Sequence, residues 1–293
     1  MINQSIDLVH PATSEKKLIA FGWYGGKYSH LNWLLPLLPE VIHYCEPFGG
    51  SAAVIINRKP SPVETYNDID GNVVNFFRVL RENKDRLIED IGLTPFSFEE
   101  YERAIRVLNG EVDEQDLLER ARSFYIVARQ TRTGLAQGAS VGRWAHCRLT
   151  TRAGMSGAVS RWLGAVEDLP LIAERLLRVQ IEQRPAEEVI KRYDSPDTLF
   201  YCDPPYPHES RGDVHSYSYE MTDEQHESLA KVLHSVKGKV ALSTYDTKLT
   251  NELYSDWHKH IADPKLCHSS KKERTEILWT NYVVASDSSE KST

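Results

Sequence analysis

Residues 41–57 read VIHYCEPFGGSAAVIIN. A short apolar run, Val41 to Cys45, meets Glu46 and Pro47, then Phe48, two glycines and Ser51. Ala52 to Asn57 follows with helix-like spacing. The next segment repeats the plan. Val63 to Tyr66 ends in Asn67-Asp68-Ile69-Asp70-Gly71, and Val73, Val74, Phe76, Phe77, Val79 and Leu80 mark one face of a helix. Short strand, polar or glycine turn, helix, and again: this order predicts an α/β fold, a parallel sheet with crossover helices.

The pattern stops near Gly92. Phe98–Leu108 and Glu114–Arg129 read as helices, and the chain onward to Leu176 is irregular and rich in Arg, Gly and Thr. Residues 92–176 are therefore expected to be an inserted, mostly helical domain that divides a discontinuous α/β domain of residues 1–91 and 177–285. The α/β pattern resumes with a strand at Arg178–Glu182, a helix near Ala186–Arg192 and an apolar strand at Thr198–Cys202. Pro207 to Met221 is polar and long enough to act as a lid. Thr222-Asp223-Glu224-Gln225 is a capping box for the helix through Leu229 and Leu233. Lys239–Ser243 reads as another strand, and Thr275–Val284 as a last, antiparallel edge strand. The polar tail, 286–293, is expected to be disordered.

The chain has 293 residues, 41% of them apolar, which is ample for a packed core. Its net charge of −7, taken alone, argues against a nucleic-acid partner. The distribution of that charge argues the other way. Arg120, Arg122, Arg129, Arg132, Arg143, Arg148, Arg152 and Arg161 lie in a stretch to Val166 that has no Asp, Glu or Lys. With eight positive charges there, the remainder of the chain carries −15. A segregated, all-arginine surface on an acidic body is a footprint for a polyanion, since the guanidinium fork suits phosphate and base edges. No run of about 18 apolar residues exists, so no membrane span is expected, and the N-terminus shows no secretory pattern. Four scattered cysteines without a CxxC pair point to a reducing cytoplasm and away from structural zinc. His208 and His215 have no partner at ligand spacing, and no metal is expected.

In a doubly wound sheet, ligands bind beyond the carboxyl ends of the strands. Three predicted strand ends carry candidate groups. Glu46-Pro47-Phe48-Gly49-Gly50 offers a glycine pair that a ligand can approach closely. Asn67-Asp68 offers a carboxylate suited to a ribose diol. Thr198-Leu199-Phe200-Tyr201-Cys202 runs into Asp203-Pro204-Pro205-Tyr206, an acid and stiff carbonyls beside an aromatic ring. The first two fit an adenosine-containing cofactor; the glycine loop is not GxGxxG, which disfavours a dinucleotide. Upstream, Trp23-Tyr24-Gly25-Gly26-Lys27 lacks the phosphate-loop spacing. An exposed aromatic with a lysine there suits a planar base and a carboxylate.

Taken in order, these four segments resemble the Dam-type adenine-N6 DNA methyltransferases, which use S-adenosylmethionine. The likeness spans nearly the whole chain, because that family also inserts a target-recognition domain between the second and third strand ends. It implies a Rossmann-like class I methyltransferase sheet and a duplex DNA substrate from which an adenine is flipped out. It also implies a setting in a bacterial, archaeal or phage-infected cell, where a cognate restriction endonuclease is one class of partner. The residues that match cofactor-binding positions are Trp23, Tyr24, Gly25, Lys27, Pro47, Phe48, Gly49, Gly50, Asp68, Ile69 and Asp203. Asp203, Pro204, Pro205 and Tyr206 match the catalytic turn. The Asp203 carboxylate and the Pro204 carbonyl would accept the two hydrogens of the adenine amino group, and Tyr206 would stack on the base. Arg129, Arg132, Arg143, Arg148 and Arg152 are the arginines expected on DNA. One departure is visible. Where the family places an acid and an aromatic near the cofactor's adenine, this chain has Arg184-Pro185.

Three other readings stand beside this one. An amino-methyltransferase acting on RNA adenine, cytosine N4 or a protein glutamine could use a similar turn. A DNA-binding module with a decayed core, or a phosphate-binding hydrolase using Lys27, Asp68 and Asp70 with Mg²⁺, would share parts of the pattern.

Overall fold

A computed structural model describes residues 16–112, 115–132, 140–207, 220–263, 265–266 and 273–284. Helix α1 (Leu31–Leu34) leads into strand β1 (His43–Glu46), α2 (Ala53–Asn57), β2 (Val63–Asn67) and α3 (Gly71–Glu82). The next segment holds α4 (Lys84–Leu93), α5 (Phe98–Leu108), α6 (Leu117–Gln130), a hairpin of β3 (Thr151–Arg152) and β4 (Met155–Ser156), α7 (Gly157–Val166) and α8 (Leu169–Leu176). The chain then returns through β5 (Val179–Glu182), α9 (Ala186–Tyr193), β6 (Thr198–Cys202), α10 (Asp223–Ser235), β7 (Lys239–Tyr245) and α11 (Lys248–Leu253). It continues through β8 (His258–Ile261), β9 (Lys265–Leu266), β10 (Glu273–Arg274) and β11 (Glu276–Thr280).

Seven strands form one sheet in the order β5-β2-β1-β6-β7-β11-β8. The first five run parallel, and β11 is antiparallel to both of its neighbours. The chain leaves β1 toward β2 on one side and later reaches β6 on the other. Their carboxyl ends thus flank the switch point where such sheets bind ligands. The expected last strand is present, but it is interior. The edge is β8, whose polar sequence HKHI gives no strand signal and suits an edge that must not recruit another chain.

Alternation along the central strands feeds two cores. Leu199 and Tyr201 of β6 pack with α3 and α6, whereas Phe200 and Cys202 face α9 and α10. Among the described residues, buried side chains of 92–176 belong to the same core cluster as the α/β body. Phe124 meets Phe21 edge-on at 5.0 Å, and Tyr125 stacks on Phe76 at 5.5 Å. Both rings of α6 therefore share the core of the α/β body. The Arg175 guanidinium of α8 grips the Glu64 carboxylate of β2 through two contacts of 2.6 and 2.7 Å. The predicted division at residue 92 is a change of pattern without a break in packing. The Thr222 capping box forms as expected, with Thr222 N donating to Gln225 Oε1 at 2.8 Å. Most of the expected lid, including His208 and His215, and the 286–293 tail lie outside the described residues. Among the described residues no helix is long and apolar enough to cross a membrane.

Candidate active site

Three strand ends open onto one cleft. Its walls include Trp23, Phe48, Ile69, Asp68, Asp203 and Pro205, and Tyr24, Gly25, Lys27, Pro47, Gly49 and Gly50 also reach it. Every residue expected at the cofactor thus lines a single depression. Neighbouring strand axes lie about 4.8 Å apart. From the end of β5 to the end of β6, three strand steps away, the cleft therefore spans roughly 14 Å.

Asn67 staples the strand ends together. Its Nδ2 donates to Pro47 O at 2.8 Å and to Arg184 O at 3.0 Å, and its Oδ1 accepts Arg184 N at 2.9 Å. Asp68 holds the glycine loop. Its Oδ2 accepts Gly50 N and its Oδ1 accepts Asp70 N, both at 2.8 Å, and a carboxylate with these bonds retains further acceptor capacity on the cleft lining. Tyr66 completes the frame by donating to Gly50 O at 2.7 Å. The glycine pair has a different reason from the one expected. A Cβ on Gly49 would sit 2.1 Å from the Tyr66 ring, and one on Gly50, whose φ is +48°, would sit 2.6 Å from Trp23 Nε1. The close approach is to the pocket's own walls.

Asp203 follows β6 and is the acid of the cleft floor. Lys27 Nζ lies 2.7 Å from its Oδ1 and 3.4 Å from Glu276 Oε1, and donates to Gly25 O at 2.6 Å. With three acceptors for three protons and 3% exposure, this ammonium has no proton left for a cofactor carboxylate. That corrects the expected role of Lys27: it braces Asp203 from behind. Burial lowers the lysine's pKa, but Asp203 and Glu276 more than offset it, and the group is held above the ordinary range. Burial raises Asp203, while the Lys27 ion pair and the Tyr206 hydroxyl oppose the rise. Glu46, at the end of β1, is pushed up to about 8 by burial, against a hydrogen bond from Tyr44. Burial also lifts Asp68 to about 6.

Tyr206 departs from its expected role as well. Its ring is 2% exposed, lies 5.0 Å from Lys27 Nζ and meets the Tyr245 ring edge-on at 4.5 Å. Its hydroxyl donates to Glu276. As placed, the ring is buried behind the cleft lining and is not one of its walls. Pro204 is buried and Pro205 half-buried on the cleft wall. Glu276 and Tyr245 were not foreseen. A lone acid opening the wholly buried strand EILWT was the available signal.

The arginine stretch divides in two. Arg120 donates to Asn72 Oδ1 at 2.9 Å, and Arg122 pairs with Glu100 and Glu119 at 3.0 and 2.8 Å, so both are internal ties. Arg129, Arg132 and Arg161 line a second cavity with Phe96 and Thr131. Arg132 and Arg143 are neighbours across a backbone pairing in which Arg132 N donates to Arg143 O at 2.7 Å. Arg148 is exposed next to Leu149, which is 93% exposed, just before the β3–β4 hairpin, and Arg152 is exposed within the hairpin beside its turn. Ala153 and Gly154, with φ of +51° and +75°, make the hairpin's tight turn. Arg184 lines the cleft and pairs with Glu182 at 3.0 Å.

A model of the D12 class N6 adenine-specific DNA methyltransferase family matches residues 23–268. A DNA adenine methylase of Vibrio cholerae is 27% identical over 254 residues, covering 82% of this chain and 86% of its own length. One of Haemophilus influenzae is 25% identical over 250 residues, covering 80% and 81%. Among solved structures, a conserved hypothetical protein of Streptococcus pyogenes aligns with 88% of this chain and 96% of its own at 10% identity, with a TM-score of 0.35.

Proposed function

The chain belongs to the D12 class N6 adenine-specific DNA methyltransferase family, and from that premise we propose that it methylates N6 of an adenine flipped out of duplex DNA, with S-adenosylmethionine as donor. The observation that carries the reading is Asp203. It is 18% exposed on the cleft floor at the end of β6, braced by Lys27 from behind and followed by two prolines.

The lining of the cleft supports the cofactor reading. The carboxylates of Asp68, Asp70 and Asp203 line it beside the Glu46 carboxyl, which burial keeps protonated near neutral pH, while the Lys27 ammonium is consumed internally. Such a site favours a ligand with cationic centres. Asp68 has the lone pairs for a ribose diol, and the Phe48-Gly49-Gly50 loop would lie against the methionine part. Ile69, Arg184 and Ala186, at the ends of β2 and β5, are the residues that would meet the adenine ring in place of the acid and aromatic the family places there. When bound, S-adenosylmethionine supplies an electrophilic methyl group.

The protein's task is to make a poor nucleophile competent. The amino lone pair of adenine is delocalised into its ring. Asp203 and the Pro204 carbonyl would each accept one N–H, favouring rehybridisation and aiming the lone pair across the cleft. The acceptors are fixed beforehand by Lys27 and the proline pair, so little reorganisation accompanies the charge that develops. An adenine inside a duplex cannot reach this floor, which is why the base must flip. Arg129, Arg132, Arg143, Arg148 and Arg152, with Arg161, supply cations for the phosphates. Cys202, buried and with its thiol raised by burial, takes no part.

Tritium transfer from labelled S-adenosylmethionine tests the reading. Label is expected in duplex DNA and absent from single-stranded RNA, and Asp203→Ala is expected to abolish transfer while retaining DNA binding. Label confined to RNA refutes the DNA assignment, and full transfer by Asp203→Ala refutes the mechanism.

A further inference from the structure

We propose that Glu276 is a positioning residue for methyl transfer: from the first position of β11 it fixes Lys27 and Tyr206, and through them the orientation and charge of Asp203. This rests on the functional reading above and extends it to a strand outside all four motif segments.

The geometry is a closed circuit. Glu276 Oε1 lies 3.4 Å from Lys27 Nζ, and Lys27 Nζ lies 2.7 Å from Asp203 Oδ1. The Tyr206 hydroxyl donates to Glu276, and Tyr206 is tied to Asp203 through the two prolines of the same turn. Glu276 is 4% exposed. Register places it opposite Tyr245 of β7, whose ring meets Tyr206 edge-on. A buried carboxylate is costly unless paired and hydrogen-bonded. Here both partners belong to the catalytic turn or its brace. Without Glu276, Lys27 would have one carboxylate in place of two, and the Tyr206 hydroxyl would lose its acceptor.

The other ionisable groups around this circuit are Tyr245 on β7, Tyr201 and Cys202 on β6, and Glu46 on β1. Asp203 and Glu276 share one ammonium. Their mutual repulsion opposes ionisation of both, while Lys27 favours it. Removing the Glu276 charge relieves Asp203 of a like-charged neighbour and gives it Lys27 alone. Asp203 then ionises more readily, even as the turn loses its anchor.

The test compares wild type, Glu276→Gln and Glu276→Asp in single-turnover methylation across pH, with S-adenosylmethionine affinity read separately by calorimetry. Glu276→Gln is expected to lower the transfer rate at least about tenfold, as displaced reacting groups do. Its cofactor affinity should stay within about threefold, and the acidic limb of its rate profile should move to lower pH. Glu276→Asp keeps the charge, and its limb is expected to stay in place. A purely structural role would scale the rate equally at every pH. Wild-type kinetics in Glu276→Gln, or a uniform loss with an unmoved limb, overturns the inference alone. A wild-type chain that transfers no methyl group to adenine overturns the functional reading and this inference with it.

Discussion

Arg175→Met isolates the clamp between the inserted segment and the sheet. Arg175 Nη1 and Nη2 lie 2.6 and 2.7 Å from the two oxygens of Glu64, and Nη2 also donates to Ile55 O at 2.8 Å. Glu64 accepts Ser61 N at 3.1 Å, and both charged side chains are buried. At this separation the attraction amounts to a few kcal/mol at an effective dielectric constant of about 20. Desolvation of two ions opposes it, which leaves the pair close to break-even with an apolar replacement. Deleting the arginine alone is different. Glu64 keeps its desolvation cost without its counter-charge, a loss of roughly 3–5 kcal/mol. Domains hold about 5–15 kcal/mol in total, so the melting temperature should fall on the order of 10 °C. The double variant Arg175→Met/Glu64→Gln removes the stranded charge and keeps an acceptor for Ser61 N. It is expected to recover most of the loss, to within about 2 kcal/mol of wild type. Urea unfolding followed by circular dichroism reads all three proteins. A single variant within about 1 kcal/mol of wild type, or a double variant as unstable as the single, refutes the stranded-charge reasoning.

Two further outcomes follow from the site. Burial holds the Glu46 carboxyl at about 8, against an ordinary 4.5, so the folded chain keeps a proton that the unfolded chain releases between those values. Stability from this group therefore falls as pH rises through that window. Glu46→Gln should show a flatter melting-temperature profile there, and a slope equal to wild type contradicts the assignment. For the basic surface, Arg148→Ala and Arg152→Ala are each expected to lower the slope of log K against log salt by about 0.9 while leaving cofactor affinity unchanged. A slope equal to wild type in both variants removes these arginines from the phosphate contacts.

The strand ends were legible because parallel strands are buried on both faces and announce themselves as apolar runs, so the polar residues that interrupt them mark the cleft. Glu46, Asp68 and Asp203 stand out in that way. Roles were less legible than places. A lysine after two glycines reads as a surface hand for a ligand, because lysines are rarely buried. Lys27 is buried only because Asp203 and Glu276 arrive from β6 and β11, and no local pattern brings those strands together. Tyr206 is turned inward for the same reason: its acceptor lies 70 residues away. The arginine stretch misled in part. Counting acids within it could not reveal that Glu119, just outside, and Glu100, on the preceding helix, neutralise Arg122. Strand β8 escapes a sequence reading because an exposed edge needs no apolar run.

The central claim is that Asp203 presents an adenine amino group for methylation, and the DNA itself records the outcome. Genomic and plasmid DNA from cells lacking other methylases, expressing either the wild-type chain or Asp203→Ala, can be digested to nucleosides and analysed by mass spectrometry. The account predicts N6-methyldeoxyadenosine with the wild-type chain and none with Asp203→Ala at equal expression and equal DNA binding. Equal N6-methyldeoxyadenosine in both, or a modified cytosine in its place, would contradict it.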